Sequence, residues 1–271
     1  MPELPEVETT RRGIERSVTG RTLKCLIVRD RRLRWPISAG LERELKGQRI
    51  TGVGRRGKYL LIYCERGALI LHLGMSGSLR VVESSAPASK HDHFDLLLDS
   101  GRALRFNDPR RFGSLHWTTA DPAKHKLLRD IGPEPLEPGF DAQYLYRASR
   151  RRKVALKNFL MNGHVVVGVG NIYASESLFR ARLRPGRRAS SLSRRDAGKL
   201  VRAIKTVLSQ AIRVGGTTLR DYVGADGNPG YFRQKLFVYE RAGSPCRVCR
   251  TNIRRVTHGQ RSTFYCPKCQ Q

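Results

Sequence analysis

The chain is short of acidic residues: it has 23 Asp plus Glu against 52 Lys plus Arg, which gives a formal net charge of +29. The last part of the sequence has no acidic residue at all: no Asp or Glu follows Glu240. A positive excess of this size is more than solubility requires and indicates a polyanionic partner. DNA-binding and RNA-associated proteins share such compositions, so charge alone leaves both classes open.

The sequence also lacks the features that direct a chain into or across a membrane. No segment reaches the roughly 18 consecutive apolar residues typical of a membrane span. The first residues, Met1 to Glu8, are acidic and interrupted by prolines, whereas a secretory signal is basic and then apolar. We therefore expect a cytoplasmic protein.

Cysteine is scarce outside the last part of the chain. Of the six cysteines, only Cys25 and Cys64 lie before residue 246, and both stand in apolar, strand-like runs. Because the cytoplasm keeps thiols reduced, we predict that Cys25 and Cys64 are buried free thiols.

The other four cysteines predict a metal module. Their arrangement is Cys246-x2-Cys249-x16-Cys266-x2-Cys269, which resembles two knuckles brought together by a hairpin. Four thiolates at this spacing suit one tetrahedral Zn²⁺, whose role is structural because no coordination position stays open. Two disulfides are the alternative interpretation. The residues between the knuckles are basic and favour phosphate binding, although zinc ribbons also contact proteins: Arg250, Arg254, Arg255, His258 and Arg261.

The pattern of apolar residues predicts an α+β fold in more than one domain. Residues 3–18 have helical spacing, and short apolar runs between residues 22 and 117 favour an antiparallel β-sandwich or barrel. A proline-rich connection follows, and helical periodicity then dominates as far as residue 214. A glycine-dotted stretch, 215–230, is typical of a functional loop. We predict a β-sandwich domain at 1–120, a linker at 121–140, a helical domain with this loop at 141–236 and a zinc finger at 237–271.

Five sequence motifs together resemble the formamidopyrimidine-DNA glycosylase family. They occur in order from Pro2 to Cys269: Pro2-Glu-Leu-Pro-Glu-Val-Glu8, His72-Leu-Gly-Met-Ser-Gly77, Asp108-Pro-Arg-Arg-Phe-Gly113, Val167-Gly-Val-Gly-Asn-Ile-Tyr-Ala-Ser-Glu176 and the four-cysteine finger. The resemblance implies two lobes with DNA in a cleft, an N-terminal β-sandwich, a helix–two-turn–helix segment and a zinc finger. The expected partner is double-stranded DNA that contains oxidised purines or abasic sites, bound by a monomer.

The resemblance also implies a bifunctional DNA glycosylase and lyase. Removal of Met1 leaves Pro2 as a secondary amine with a pKa near 8, further lowered by nearby cations. Attack by this amine on C1′ of a nucleotide gives an iminium ion, which permits β- and then δ-elimination of the flanking phosphates. The family assigns acid–base work to Glu3, phosphate binding and β-elimination to Lys58, and the second elimination to Arg261. Without this resemblance, Glu3 would be interpreted as an ordinary acid in the first turn of a helix, and Lys58 as a solvated lysine on a strand.

Further residues match family positions that contact DNA. Met75, Arg110 and Phe112 match the trio that fills the gap left by an extruded nucleotide, with Arg110 facing the orphaned cytosine. Asn171 precedes a helix whose N-terminus suits a phosphate, although a helix cap is the plain alternative. His91 and Arg152 match contacts to the DNA backbone, and residues 217–231 match the lid over the extruded base.

Two other functions remain open at this level. The endonuclease VIII type shares the N-terminal proline and finger but prefers oxidised pyrimidines; Leu4 and the Arg110-Arg111-Phe112 run favour the purine enzyme. A non-catalytic zinc-ribbon protein that binds nucleic acid is the second alternative, and it predicts no covalent chemistry.

Overall fold

The computed structural model describes residues 2–216 and 236–271, which fold into two compact units. Of these residues, 2–129 and 214–216 belong to unit 1, whereas 130–213 and 236–271 belong to unit 2. The division between residues 129 and 130 falls inside the proline-rich connection. Among the described residues, no helix combines the length and apolar character needed to cross a membrane. The predicted lid, residues 217–231, lies outside the described residues.

Unit 1 is a helix followed by two four-stranded antiparallel sheets, which confirms the predicted fold class. The sheet orders are β1-β6-β7-β5 and β2-β3-β4-β8. Its elements are α1 (Leu4–Val18), β1 (Leu23–Val28), α2 (Leu41–Leu45), β2 (Ile50–Arg56), β3 (Tyr59–Cys64), β4 (Gly67–His72), β5 (Ser78–Glu83), β6 (Asp92–Leu98), β7 (Arg102–Asn107), β8 (Ser114–Thr118) and a 3-10 turn at Pro122–Lys124.

The core of unit 1 forms where the apolar stripe of α1 meets the sheet residues. Val7, Ile14 and Val18 are fully buried in one cluster with residues of both sheets. Phe94 and Phe106, on neighbouring strands, stack with ring centroids 4.9 Å apart. This packing holds the N-terminus of α1, and therefore Pro2, on a rigid element.

Unit 2 is helical and ends in a β-hairpin. Its elements are α3 (Ala142–Ser149), α4 (Leu156–Met161), α5 (Asn171–Arg180), a 3-10 turn (Ala189–Ser191), α6 (Arg194–Arg213), β9 (Arg254–His258) and β10 (Arg261–Tyr265). The finger has a small core of its own, in which Phe179 of α5 packs with Ile253 and Phe264. The hairpin is thus attached to α5 by apolar contacts.

Two sequence predictions about unit 1 need correction. Strand β2 was not among the predicted runs, because its glycines and arginines interrupt the apolar alternation. Cys64 is buried as expected, but Cys25 is only partly buried. A register shift between Leu23 and Cys25 turns the side chain of Cys25 away from the core that receives Leu23 and Leu26.

Candidate active site, metal centre and nucleic-acid interface

The N-terminus of α1 places Pro2 next to two buried carboxylates. Pro2 is buried, and Glu3 and Glu6 are each only 2% exposed. Glu3 is the N-cap residue rather than a first-turn acid: its backbone N–H donates to Glu6 Oε2 at 2.8 Å, and the two residues form a capping box. The start of the chain is therefore ordered by hydrogen bonds from α1 itself.

Gly216, in the described start of the glycine-dotted stretch, lies close to the Glu6 carboxylate. A Cβ atom at Gly216 would lie 3.0 Å from Glu6 Oε1, and the residue has a φ of +82°. Such an approach and such a backbone conformation together favour glycine. The described start of the glycine-dotted stretch thus packs against the acid that orders the N-terminus.

Lys58 lies in the two-residue turn between β2 and β3 and is partly exposed, so it is not a strand lysine. Gly57, with φ +57°, supplies the positive dihedral that the tight turn requires. The turn is tied to α1 through Arg55, whose Nε lies 3.3 Å from Glu8 Oε2. Burial raises the pKa of Glu8, but hydrogen bonds from Arg11 and Arg12 and the charge of Arg55 outweigh it and leave the pKa lowered. An ionised Glu8 therefore joins α1 to the strand that leads to Lys58.

His72 is a neutral neighbour of Lys58. Burial lowers the pKa of His72 to about 4, with the charges of Lys58 and Arg34 acting in the same direction. Its Nδ1 accepts a hydrogen bond of 2.9 Å from the backbone of Gly74, which requires an unprotonated nitrogen. His72 therefore adds no positive charge beside Lys58 at neutral pH.

Met75 and Phe112 lie on two loops that are in close contact. A Cβ at Gly74 would lie 2.5 Å from the backbone of both Phe112 and Gly113, and Gly74 has a φ of +69°. Both side chains lie outside the strands; Met75 is partly exposed and Phe112 is 44% exposed. Neither residue is therefore part of the strand core. The guanidinium of Arg110 lies 5.3 Å from the centre of the Phe112 ring.

Asp108 organises the loop that carries Arg110 and Phe112. Its buried carboxylate accepts hydrogen bonds from Gly113 N (2.8 Å), Ser76 Oγ (2.8 Å) and Arg110 N (3.3 Å). Its backbone N–H donates to the carbonyl of His91 at 3.0 Å. One buried acid thus fixes both loops and the backbone of His91. Asp108 belongs to one of the sequence motifs, but the motif alone does not indicate this role.

Asn171 opens α5 in unit 2, but it does not cap the helix. Gly170 is the N-cap, and Asn171 is the first helical residue. The Asn171 Nδ2 atom lies 3.5 Å from the hydroxyl of Tyr239, and its buried Oδ1 has no hydrogen-bond partner among the described residues. The cap interpretation is therefore wrong, and the amide has unused hydrogen-bonding capacity.

Glu176, on the same helix, holds the segment that leads into the finger. Its buried carboxylate accepts hydrogen bonds of 2.9 Å from the backbone N–H groups of Phe237, Val238 and Tyr239. Burial raises the pKa of Glu176 against the opposing effect of these bonds. The contact sets the position of Tyr239 and, through its hydroxyl, the surroundings of Asn171. Nothing in the sequence pattern indicated this role.

The four cysteines of the finger converge on one point. All four sulfur atoms lie within 4.8 Å of one another. Tetrahedral Zn–S bonds of about 2.3 Å place sulfur atoms about 3.8 Å apart, so the cluster fits one zinc ion. Backbone N–H groups of Val248 and Cys269 donate to Cys246 Sγ and Cys266 Sγ, each at 3.4 Å, as suits thiolate ligands.

Arg261 is the exposed first residue of β10, and α4 holds the strand just beyond it. Lys157 is fully buried, and its Nζ donates to the carbonyl of Ser262 at 2.7 Å and to Thr263 Oγ1 at 2.9 Å. In the hairpin turn between β9 and β10, a Cβ at Gly259 would lie 2.4 Å from the amide of Asn158. Neither of these α4 residues was predicted from the sequence. Arg152, in contrast, is an exposed residue after α3.

Comparisons with known proteins agree with this architecture. Family models match the formamidopyrimidine-DNA glycosylase N-terminal domain at residues 1–115, its H2TH domain at 131–223, and a zinc finger found in FPG and IleRS at 243–271. A formamidopyrimidine-DNA glycosylase of Thioalkalivibrio sulfidiphilus is 58% identical over 271 residues, which is all of both chains. The chain belongs to the formamidopyrimidine-DNA glycosylase family.

Two solved structures of this family of DNA-repair glycosylases show the likeness in three dimensions. The MutM (Fpg) protein of Thermus thermophilus is 40% identical, with a TM-score of 0.89 over 99% of this chain and 98% of that one. A Lactococcus lactis Fpg mutant in complex with DNA containing Fapy-dG is 33% identical, with a TM-score of 0.93 over the whole of both chains. The predicted family and the structural zinc of this glycosylase are confirmed.

Proposed function

We propose that this glycosylase binds double-stranded DNA, removes 8-oxoguanine and formamidopyrimidines from it, and then cleaves the strand at the resulting abasic site. It acts in the bacterial cytoplasm as a monomer. The observation that carries the proposal is the position of Pro2, which directly precedes α1 and is buried beside Glu3 and Glu6. After removal of Met1, its nitrogen is a secondary amine, which is a nucleophile in its neutral form.

In the first step, the Pro2 nitrogen attacks C1′ and the bond between C1′ and the damaged base breaks. The departing base takes a proton from water, and the Glu3 carboxylate takes the proton that the amine loses. The C1′–O4′ bond then opens, and O4′ takes this proton from Glu3. The product is an iminium ion that is cationic without further protonation, because the amine is secondary. The 2% exposure of Glu3 keeps bulk water away from this proton transfer.

Strand cleavage follows from the electron sink at C1′. Loss of a C2′ proton to water lets the C3′–O bond break and release the 3′-phosphate, which Lys58 binds and protonates. A second elimination expels the 5′-phosphate, with Arg261 as its ligand. Water then hydrolyses the bond between sugar and Pro2. The neutral state of His72 leaves the charge of Lys58 available to the phosphate.

Met75, Arg110 and Phe112 replace the extruded nucleotide within the duplex. Extrusion costs a few kcal/mol in stacking and pairing, which the inserted side chains offset. The contact of their two loops at Gly74 and the 44% exposure of Phe112 support this role. Phe112 enters the base stack, Met75 fills the void, and Arg110 donates hydrogen bonds to the orphaned cytosine.

The DNA backbone is held by Asn171, His91 and Arg152. Asn171 lies at the N-terminus of α5, where the helix dipole attracts a phosphate. The Asn171 side-chain amide can be rotated by 180°, because the Tyr239 hydroxyl can either donate or accept a hydrogen bond. In the rotated amide, an N–H group occupies the position where Oδ1 has no partner among the described residues.

Single-turnover excision from matched duplexes tests the substrate class. One duplex carries 8-oxoguanine opposite cytosine, and the other carries thymine glycol. We expect faster release of 8-oxoguanine and a one-nucleotide gap with phosphates on both sides. Faster release of thymine glycol would support the endonuclease VIII type instead, and binding without excision of either base would support a non-catalytic zinc-ribbon protein.

A further inference from the structure

A groove in unit 2 is lined by positive charges at the end of α5 that is remote from Asn171. It has a volume of about 410 Å³ and is lined by Arg180, Arg182, Lys199 and Arg202, together with two alanines and a threonine. All four cationic side chains are exposed. The two arginines at the end of α5 and the two cations of α6 thus enclose one open cavity.

The described residues provide no carboxylate partner for these four cations. The only acid in α6 is Asp196, which pairs with Arg187 at 3.0 Å, and the only acid in α5 is the buried Glu176. The C-terminus of a helix compensates about half a positive charge. Four cations around one groove exceed this compensation, so their mutual repulsion favours an added anion.

Arg182 occupies a position where an arginine side chain carries a conformational cost. It is the first residue after the C-cap of α5 and has a φ of +59°. The bonds from Arg182 N to Phe179 O and from Leu183 N to Leu178 O, both 3.0 Å, form a Schellman motif. Glycine is favoured at this position, and a side chain there costs about 1–2 kcal/mol. The chain nevertheless places a guanidinium over the groove.

The groove is separate from the phosphate site proposed at Asn171. The helix α5 has ten residues, which corresponds to a length of about 15 Å. One phosphate therefore cannot contact both ends of the helix, and a ligand in the groove is bound independently of a phosphate at Asn171.

We propose that this groove binds the phosphodiester backbone of a second DNA segment while the first segment occupies the lesion-processing site. Guanidinium groups match phosphate oxygens in a bidentate geometry, and three of the four cations are arginines. The groove is open rather than enclosed, so it admits a continuous chain of phosphates. Holding two segments lets the glycosylase pass from one stretch of DNA to another without full dissociation.

A bridging experiment with the full-length zinc-loaded protein tests this proposal. An undamaged, fluorescently labelled duplex is captured through the protein by a second, immobilised duplex. The test variant combines Arg182→Gly with Lys199→Gln; glycine suits the dihedral angle at 182, so the helix end is preserved. The matched control combines Arg43→Gln with Lys46→Gln, two exposed cations at the end of α2 in unit 1.

We expect the wild type and the control to retain the labelled duplex, and the groove variant to retain several-fold less. Excision from a short duplex stays the same in all three proteins, which separates this proposal from the proposed function. Arg182→Gly alone, with unchanged or higher thermal stability, gives a partial loss. Equal retention by the groove variant and the wild type, or no bridging by the wild type, would overturn the proposal.

Competitors identify the ligand of the groove. Added undamaged duplex should displace the labelled duplex, and inorganic phosphate should do so weakly and only at high concentration. Displacement by poly-glutamate but not by unlabelled duplex would assign the groove to an acidic protein. Full displacement by low concentrations of inorganic phosphate would assign the groove to the free phosphate ion. The poly-glutamate result and the inorganic phosphate result would each contradict a second DNA site.

Discussion

The buried ammonium of Lys157 donates a hydrogen bond of 2.7 Å to the carbonyl oxygen of Ser262, a residue 105 positions away in the sequence. This bond joins α4 to the strand that begins at Arg261. The zinc cluster holds the base of the finger, and Lys157 holds the strand beyond the hairpin turn. The strand that begins at Arg261 is thus held by a residue outside the cysteine cluster.

Substitution Lys157→Met tests this dependence. It leaves the Ser262 carbonyl and the Thr263 hydroxyl without their donor, which costs about 1–3 kcal/mol for each buried group that stays unsatisfied. We expect a lower free energy of unfolding and a product mixture enriched in the β-elimination product, because Arg261 is less well positioned for the second elimination. The measurements are chemical denaturation and gel analysis of the cleaved strand.

Lys205→Met is the matched control for this substitution. Lys205 also donates to a backbone carbonyl, that of Glu137, at 2.9 Å, but it lies on the surface. We expect a change in unfolding free energy within about 0.5 kcal/mol and an unchanged product ratio. An effect of Lys205→Met equal to that of Lys157→Met would show that α4 has no particular role.

The close approach of Gly74 to Phe112 makes a second prediction. Gly74→Ala introduces a Cβ 2.5 Å from the Phe112 backbone at a φ of +69°. We expect the loops of Met75 and Phe112 to separate and single-turnover excision of 8-oxoguanine to fall at least tenfold, whereas cleavage at a preformed abasic site falls less.

Gly101→Ala separates the steric effect from the dihedral effect. Gly101 has a φ of +78°, but its added Cβ would meet nothing within 4 Å. The dihedral cost alone is about 1–2 kcal/mol in stability. Excision by the folded Gly101→Ala protein should equal that of the wild type. If both variants lose excision equally, the loop contact is not what positions Phe112.

A buried ion-pair network in unit 1 predicts a fall in stability at acid pH. Burial raises the pKa of Asp95, but hydrogen bonds from Arg29 (2.6 Å) and Arg105 (2.9 Å) outweigh it and leave the pKa below its usual value. A carboxylate with a lowered folded-state pKa stabilises the protein above its unfolded pKa of about 3.9. This contribution is lost as the pH falls below that value towards the folded pKa.

Urea denaturation between pH 7 and pH 3 measures this contribution. Asp95→Asn should lower stability at pH 7 and flatten its dependence on pH below about 4. Glu83→Gln is the control, since it removes an exposed ion pair with Arg102 (3.3 Å) that contributes little. A wild-type stability that stays constant down to pH 3 would contradict the role of Asp95.

The sequence predicted structure best where neighbouring residues alone determine it. The helix α1 and the cysteine knuckles are specified by neighbouring residues, and both were predicted within one or two positions. Strand β2 was missed because Gly52, Gly54 and its two final arginines weaken the alternation; the strand forms through its pairing with β3. Pairing with a distant partner is not visible in a single window of sequence.

The site shows the same division between local and distant contacts. The motifs drew attention to Pro2, Met75 and Phe112, which belong to recognisable runs. The residues that hold those runs in place were not recognised, because their partners are distant in sequence: Asp108 contacts Ser76, and Glu176 contacts the backbone at 237–239. Only the folded chain brings such partners together.

Borohydride trapping on lesion-containing DNA, followed by mass spectrometry of the cross-linked peptide, tests the chemistry most directly. Borohydride reduces the iminium ion and makes the bond between enzyme and sugar permanent. We predict an adduct on the N-terminal peptide that begins at Pro2, and none from a chain that keeps Met1 or carries a blocked terminus. An adduct at another residue, or full strand cleavage by the blocked protein, would contradict it.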